Sequence, residues 1–73
     1  MAKEILTNQV RRLRFENGEM TQQQLANKTG VSRQTIISIE SQKYSPSLPL
    51  AIKIARTFSA TIEEVFCLER LED

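Results

Sequence analysis

Histidine and tryptophan are absent from this chain, and cysteine occurs once, at Cys67. One cysteine cannot close an internal disulfide, and without histidine a zinc site lacks its usual ligand set. Cys67 stands near the end of an apolar stretch. The expected role is a small packed hydrophobe, with a redox-sensing thiol as the alternative. Glycine is scarce, with Gly18 and Gly30 alone, so no glycine-rich phosphate loop exists. No nucleophile is paired with a base. The adjacent carboxylates Glu63 and Glu64 suit a helix start better than acid–base chemistry. The expectation is therefore no enzyme, no cofactor and no metal. No apolar run approaches the roughly 20 residues of a membrane span. The opening MAKEILTN lacks the apolar core of a signal peptide. A cytoplasmic protein with no membrane partner is expected.

Seventy-three residues make one domain, residues 1–73, with a modest core that oligomerisation would help. The net charge is only +1, but its distribution is uneven. Residues 1–58 hold nine Lys/Arg against four Asp/Glu, a balance of +5. Residues 59–73 hold one against five, a balance of −4. A basic body with an acidic tail suits a polyanionic partner, the tail pointing away from it.

The most informative stretch is TQQQLANKTGVSRQTIISIESQK, Thr21 to Lys43. Thr21 and Gln24 form a capping box. Good helix formers follow, and Gly30 stands where a helix end favours a left-handed residue. Ser32 is the next N-cap. Two short helices joined by a tight turn result, the helix-turn-helix arrangement over about 21–41. On a helical wheel of the second helix, Ile36 and Ile39 fall together with Thr35 beside them. Arg33, Gln34, Ile37, Ser38 and Ser41 fall opposite. A guanidinium suits guanine, an amide adenine and a hydroxyl several bases, and an apolar Ile37 suits a thymine methyl. Arg33, Gln34, Ile37 and Ser38 are the candidate base readers; an ordinary solvated helix face is the alternative.

Around this pair, the first helix is expected from about Asn8 to Asn17. Val10 and Leu13 face inward, Arg11 and Arg12 outward, Phe15 completes the packing or covers the helix end, and Gly18 marks the stop. Ser47 caps the next helix, with Leu48, Ala51, Ile54, Ala55 and Phe58 as its core stripe. Thr61 and Glu64 form a second capping box before Ile62, Val65 and Phe66. That makes five helices. Ile5-Leu6 reads as a brief strand or a lead-in to the first helix. Phe66 to Leu71 reads as a weak strand or a frayed helix end.

The segment from Thr21 to Phe66 resembles the helix-turn-helix domain of the Cro/CI-type (XRE-like) repressor family, and its small stand-alone bacterial and archaeal members in particular. T-Q-x-x-L-A, G-V-S-R-x-T-I, I-E and P-S-L-x-x-A-x-x-I-A are matched almost throughout. The fold implied is all-α, a five-helix lambda-repressor-like domain, with short terminal β-strands as the variant. The function implied is a sequence-specific regulator of transcription, a repressor that binds a palindromic site on double-stranded DNA as a homodimer. An antitoxin-like protein-interaction module of the same fold is the alternative, which would make another protein the partner. The resemblance places Gln22, Ser41, Lys43 and Tyr44 on phosphates, with Ser32 beside them; ring packing on the core is the alternative for Tyr44. It pairs Arg14 with Glu40 as a structural ion pair. Relatives often carry Gly where this chain has Gln42, so the loop after the second motif helix is expected to depart from theirs. Some small relatives dimerise through paired terminal strands. Here Ile5, Leu6, Phe66, Leu68 and Leu71, within the first residues and 66–73, would form that patch.

Overall fold

Side-chain caps decide where four of the five helices begin. A computed structural model describes residues 3–71, and the outer residues of the 1–73 domain and of the 66–73 tail lie outside it. The order is β1 (Lys3–Asn8), α1 (Val10–Glu16), α2 (Gln22–Thr29), α3 (Arg33–Glu40), α4 (Leu48–Thr57), α5 (Ile62–Val65) and β2 (Phe66–Leu71). At α2 the Thr21 hydroxyl accepts the Gln24 N–H at 3.0 Å, and the Gln24 amide oxygen accepts the Thr21 N–H at 2.8 Å. Thr61 and Glu64 repeat this box at α5. There the Thr61 backbone N–H, and next its hydroxyl, hold the Glu64 carboxyl below its ordinary pKa. Ser32 and Ser47 cap α3 and α4 by accepting the N–H groups of Thr35 and Leu50. These bonds satisfy donors that a helix start leaves unpaired.

α1 is the exception. Gln9 gives it no side-chain cap; Asn8, one residue earlier, accepts the Val10 N–H at 3.2 Å. α1 therefore starts two residues later than the sequence suggests, because Asn8 still belongs to β1.

The core gathers one or more residues from every helix. Val10, Leu25, Ile36, Ile39, Ile54 and Val65 are essentially sealed from solvent, with Phe58 and Phe66 nearly so. Leu48, expected in the core stripe, is not there, and Phe15, for which the sequence leaves packing or covering the helix end open, does not complete the packing. Leu48 is 66% exposed, since it occupies the first turn of α4, beyond the reach of the other helices; Leu50 is buried instead. Phe15 is 54% exposed and lies beside the guanidinium groups of Arg11 and Arg14.

The ends of the chain are strands. β1 and β2 pair antiparallel, from Lys3 opposite Leu71 to Asn8 opposite Phe66. The described fold is therefore five helices plus a two-stranded ribbon, and all-α is only approximate. Opposed residues share a face and successive residues alternate. Leu6 and Leu68 thus share the face of Phe66, which enters the core. Cys67 alternates to the other face and is exposed, not packed as expected. Leu68, further out than Phe66, is 63% exposed.

The loop after α3 turns through Gln42 at φ +64°. A left-handed conformation there explains why a glycine suits this position, and a side chain costs about 1–2 kcal/mol.

Two stability predictions follow from burial and backbone. Ile36→Ala loses about 2–5 kcal/mol in urea unfolding, while Leu48→Ala changes it by less than about 0.5 kcal/mol. Equal losses would contradict the assignment of the core. Gln42→Gly gains about 0.5–1 kcal/mol, strain relief outweighing the added freedom of the unfolded chain; a loss of stability would count against strain at that residue.

Candidate nucleic-acid interface

The turn between α2 and α3 is set by Gly30 at φ +75°, whose N–H closes on the Ala26 carbonyl at 2.9 Å. Val31 also donates to Ala26 and packs against the core. Buried Thr29 returns its hydroxyl to the Leu25 carbonyl at 2.8 Å, so α2 ends without an unsatisfied polar group. With Ile36 and Ile39 inward, α3 turns its opposite face to solvent.

On that face Arg33 and Gln34 are exposed at the N-terminal end, while Ile37 and Ser38 are half-buried. The structure brings together a guanidinium, an amide, an apolar tip and a hydroxyl on one turn-and-a-half of helix. Ser32 is exposed, but its hydroxyl is engaged with Thr35 through both the backbone N–H and the Thr35 hydroxyl at 3.0 Å. Ser41 donates to the Ser38 carbonyl at 3.3 Å. The Lys43 N–H closes on that carbonyl at 2.9 Å, and its charged end is in solvent. The Tyr44 ring is 48% exposed and does not pack into the core.

The ion pair between α1 and α3 holds this face in place. Arg14 Nε donates to Glu40 Oε2 at 2.7 Å, and Arg14 Nη2 donates to Glu40 Oε1 at 3.0 Å. The remaining Nη1 reaches the Met20 carbonyl at 2.8 Å, in the turn before α2. Both side chains are nine-tenths buried. Such a pair orients more than it stabilises, but removing one partner strands a buried charge at a cost of about 3–5 kcal/mol.

Three features escaped the sequence reading. Gln22 Nε2 donates to Glu40 Oε1 at 3.3 Å, tying the first residue of α2 into the ion pair. Asn8 Nδ2 donates to the Ile39 carbonyl at 2.9 Å, tying the ribbon to α3. An open groove of about 720 Å³ also places Arg11 and Phe15 beside Gln22, Gln23 and Arg33. Only Asn8 carried a local signal, being a cap-type residue two before Val10. The groove and the Gln22 bond depend on residues distant in sequence.

Of the proposed strand patch, Ile5, Leu68 and Leu71 are exposed and Leu6 is half-buried against the core. Phe66 does not belong to it, because its ring completes the protein's own core.

Comparison with known proteins agrees with this geometry. The helix-turn-helix family profile matches residues 11–65. An HTH-type transcriptional regulator of Methanocaldococcus jannaschii is 60% identical over 50 residues, covering 68% of this chain and 76% of its own. One from Archaeoglobus fulgidus is 48% identical over 64 residues, covering 88% and 90%. One from Bacillus subtilis is 45% identical over 64 residues, covering 88% and 96%. The crystal structure of a candidate DNA-binding protein from Bacteroides fragilis superimposes with a TM-score of 0.76 at 25% identity, over 86% of this chain and all of that one. With the capped helix pair in place and the profile spanning α1 to α5, the chain belongs to the helix-turn-helix family as a small XRE-like member.

Proposed function

We propose that this protein is a sequence-specific regulator of transcription that binds double-stranded DNA, acting as a repressor through a homodimer on a palindromic operator. The observation that carries the reading is the outward face of α3. Arg33 and Gln34 project from its start with no partner of their own among the described residues, on a helix anchored from behind by Ile36, Ile39 and Glu40. An α-helix fits the major groove, and residues near the start of a recognition helix reach base edges. Arg33, Gln34, Ile37 and Ser38 are assigned to bases. Gln22, Ser32, Ser41, Lys43 and Tyr44 are assigned to the backbone, where contacts fix register and supply affinity rather than sequence information. A protein seated on its operator excludes competitors from it, hence the choice of repression. Related regulators in two archaea and a bacterium support the assignment to transcription.

The dimer rests on the ribbon. A lone two-stranded ribbon is marginal in water. This one leaves Leu68 exposed on the face of Phe66 and Ile5 and Leu71 exposed on the face of Cys67, along with the outer edges of both strands among the described residues. A second copy covers such a surface symmetrically, and two α3 helices about 34 Å apart would then read successive major grooves. The acidic balance of residues 59–73 keeps this end away from phosphates.

Arg33→Ala is expected to weaken operator binding by about 1–3 kcal/mol and to flatten the preference at one base pair. Titration against operators altered one pair at a time decides it; a mutant that discriminates among them as wild type does would remove Arg33 from the readers. Leu68→Glu, at an exposed position, is expected to leave circular dichroism intact while sedimentation reports a monomer with much weaker operator binding. A Leu68→Glu protein that still sediments as a dimer would move the interface elsewhere.

A further inference from the structure

Glu40 does more than neutralise Arg14. Its two oxygens already receive two Arg14 N–H groups, at 2.7 and 3.0 Å, which satisfies the buried charge. The third bond, from Gln22 Nε2 at 3.3 Å, is therefore surplus to Glu40 and consequential for Gln22. Gln22 is half-buried at the start of α2 and lines the same groove as Arg11 and Arg33.

A glutamine amide has two unlike ends, an NH2 that donates twice and an oxygen that only accepts. An ionised carboxylate only accepts. The reversed amide would set oxygen against oxygen, so Glu40 admits one orientation. We propose that Glu40, itself held by Arg14, is a positioning residue that fixes the Gln22 amide in the free protein so that its second N–H is presented to a backbone phosphate of DNA. This rests on the DNA-binding reading above. A long side chain is ordinarily ordered on binding at an entropic cost, and here part of that ordering precedes the encounter. The ion pair thereby connects α1 and α3 to a contact made by α2. A purely structural pair would have no such connection.

The test uses Gln22→Ala and the double swap R14M/E40L, in which apolar residues of similar volume replace the pair. Replacements of that class are often neutral or stabilising. Binding is measured at fixed salt to a duplex that wild type has selected from random DNA, alongside thermal unfolding. Gln22→Ala is expected to weaken binding about 3- to 10-fold, the range for one hydrogen bond, with the melting temperature unchanged. R14M/E40L should fold and lose part of that factor, and adding Gln22→Ala to it should cost clearly less than it costs in wild type. A folded R14M/E40L that binds as wild type does, or a Gln22→Ala loss of equal size in both backgrounds, overturns the proposal.

A second measurement depends neither on the swap folding nor on DNA. The side-chain NH2 resonances of Gln22 in the free wild-type protein should show one fixed rotamer, with one proton shifted and slow to exchange. Averaged resonances like those of a free glutamine overturn the proposal too. If wild type selects no DNA at all, the functional reading falls, while this measurement still decides whether Glu40 fixes the amide.

Discussion

The buried pair of Arg14 and Glu40 is the contact on which the arrangement of this domain turns. Each nitrogen of the guanidinium donates to a named acceptor, Nε and Nη2 to Glu40 and Nη1 to the Met20 carbonyl. That geometry joins α1, the turn before α2, and the last residue of α3. Apolar contacts alone could hold these helices together in several rotations, since hydrophobic burial has no direction. The ion pair has direction. It fixes the end of α3 relative to α1, while the Ser32 cap and Gly30 fix its beginning relative to α2.

The outward face of α3 is thus a consequence of what lies behind it. Ile36 and Ile39 are sealed in the core, and helical periodicity leaves Arg33 and Gln34 nowhere but solvent. The ribbon is organised on the opposite principle. Its helix-side end is anchored by Phe66 in the core and by Asn8 on the Ile39 carbonyl, and further out Ile5, Leu68 and Leu71 are exposed among the described residues. One surface is polar and held rigid from beneath. The other is apolar and only partly supported.

The helix pair could be read from the sequence because its signals are local. Thr21 with Gln24, and Thr61 with Glu64, each complete a reciprocal box within four residues, and Gly30 supplies its left-handed turn unaided. What could not be read depends on how far the core extends. Leu48 fits the periodicity of α4 as well as Ala51 does, but it lies a turn too early to meet the other helices. Cys67 and Phe66 are neighbours in an apolar stretch; only the strand register sends one inward and the other out. Phe15 found the side of two arginines instead of the core, which no spacing rule anticipates. The bond between Gln22 and Glu40 spans eighteen residues and is a property of the assembled helices. Gln42 is a mixed case. The departure from glycine was visible, but its left-handed backbone emerged only with the loop's path.

The central claim is that α3 distinguishes one DNA sequence from another. The most direct measurement is selection of duplexes from a random pool by the wild-type protein, followed by titration of the enriched duplex and a scrambled one across a salt series. The account predicts a single enriched motif with two-fold symmetry, bound about 10³-fold or more tightly than the scrambled duplex at physiological salt. It also predicts that both affinities fall as salt rises. A pool that emerges unenriched, with equal affinity for every duplex, would contradict it.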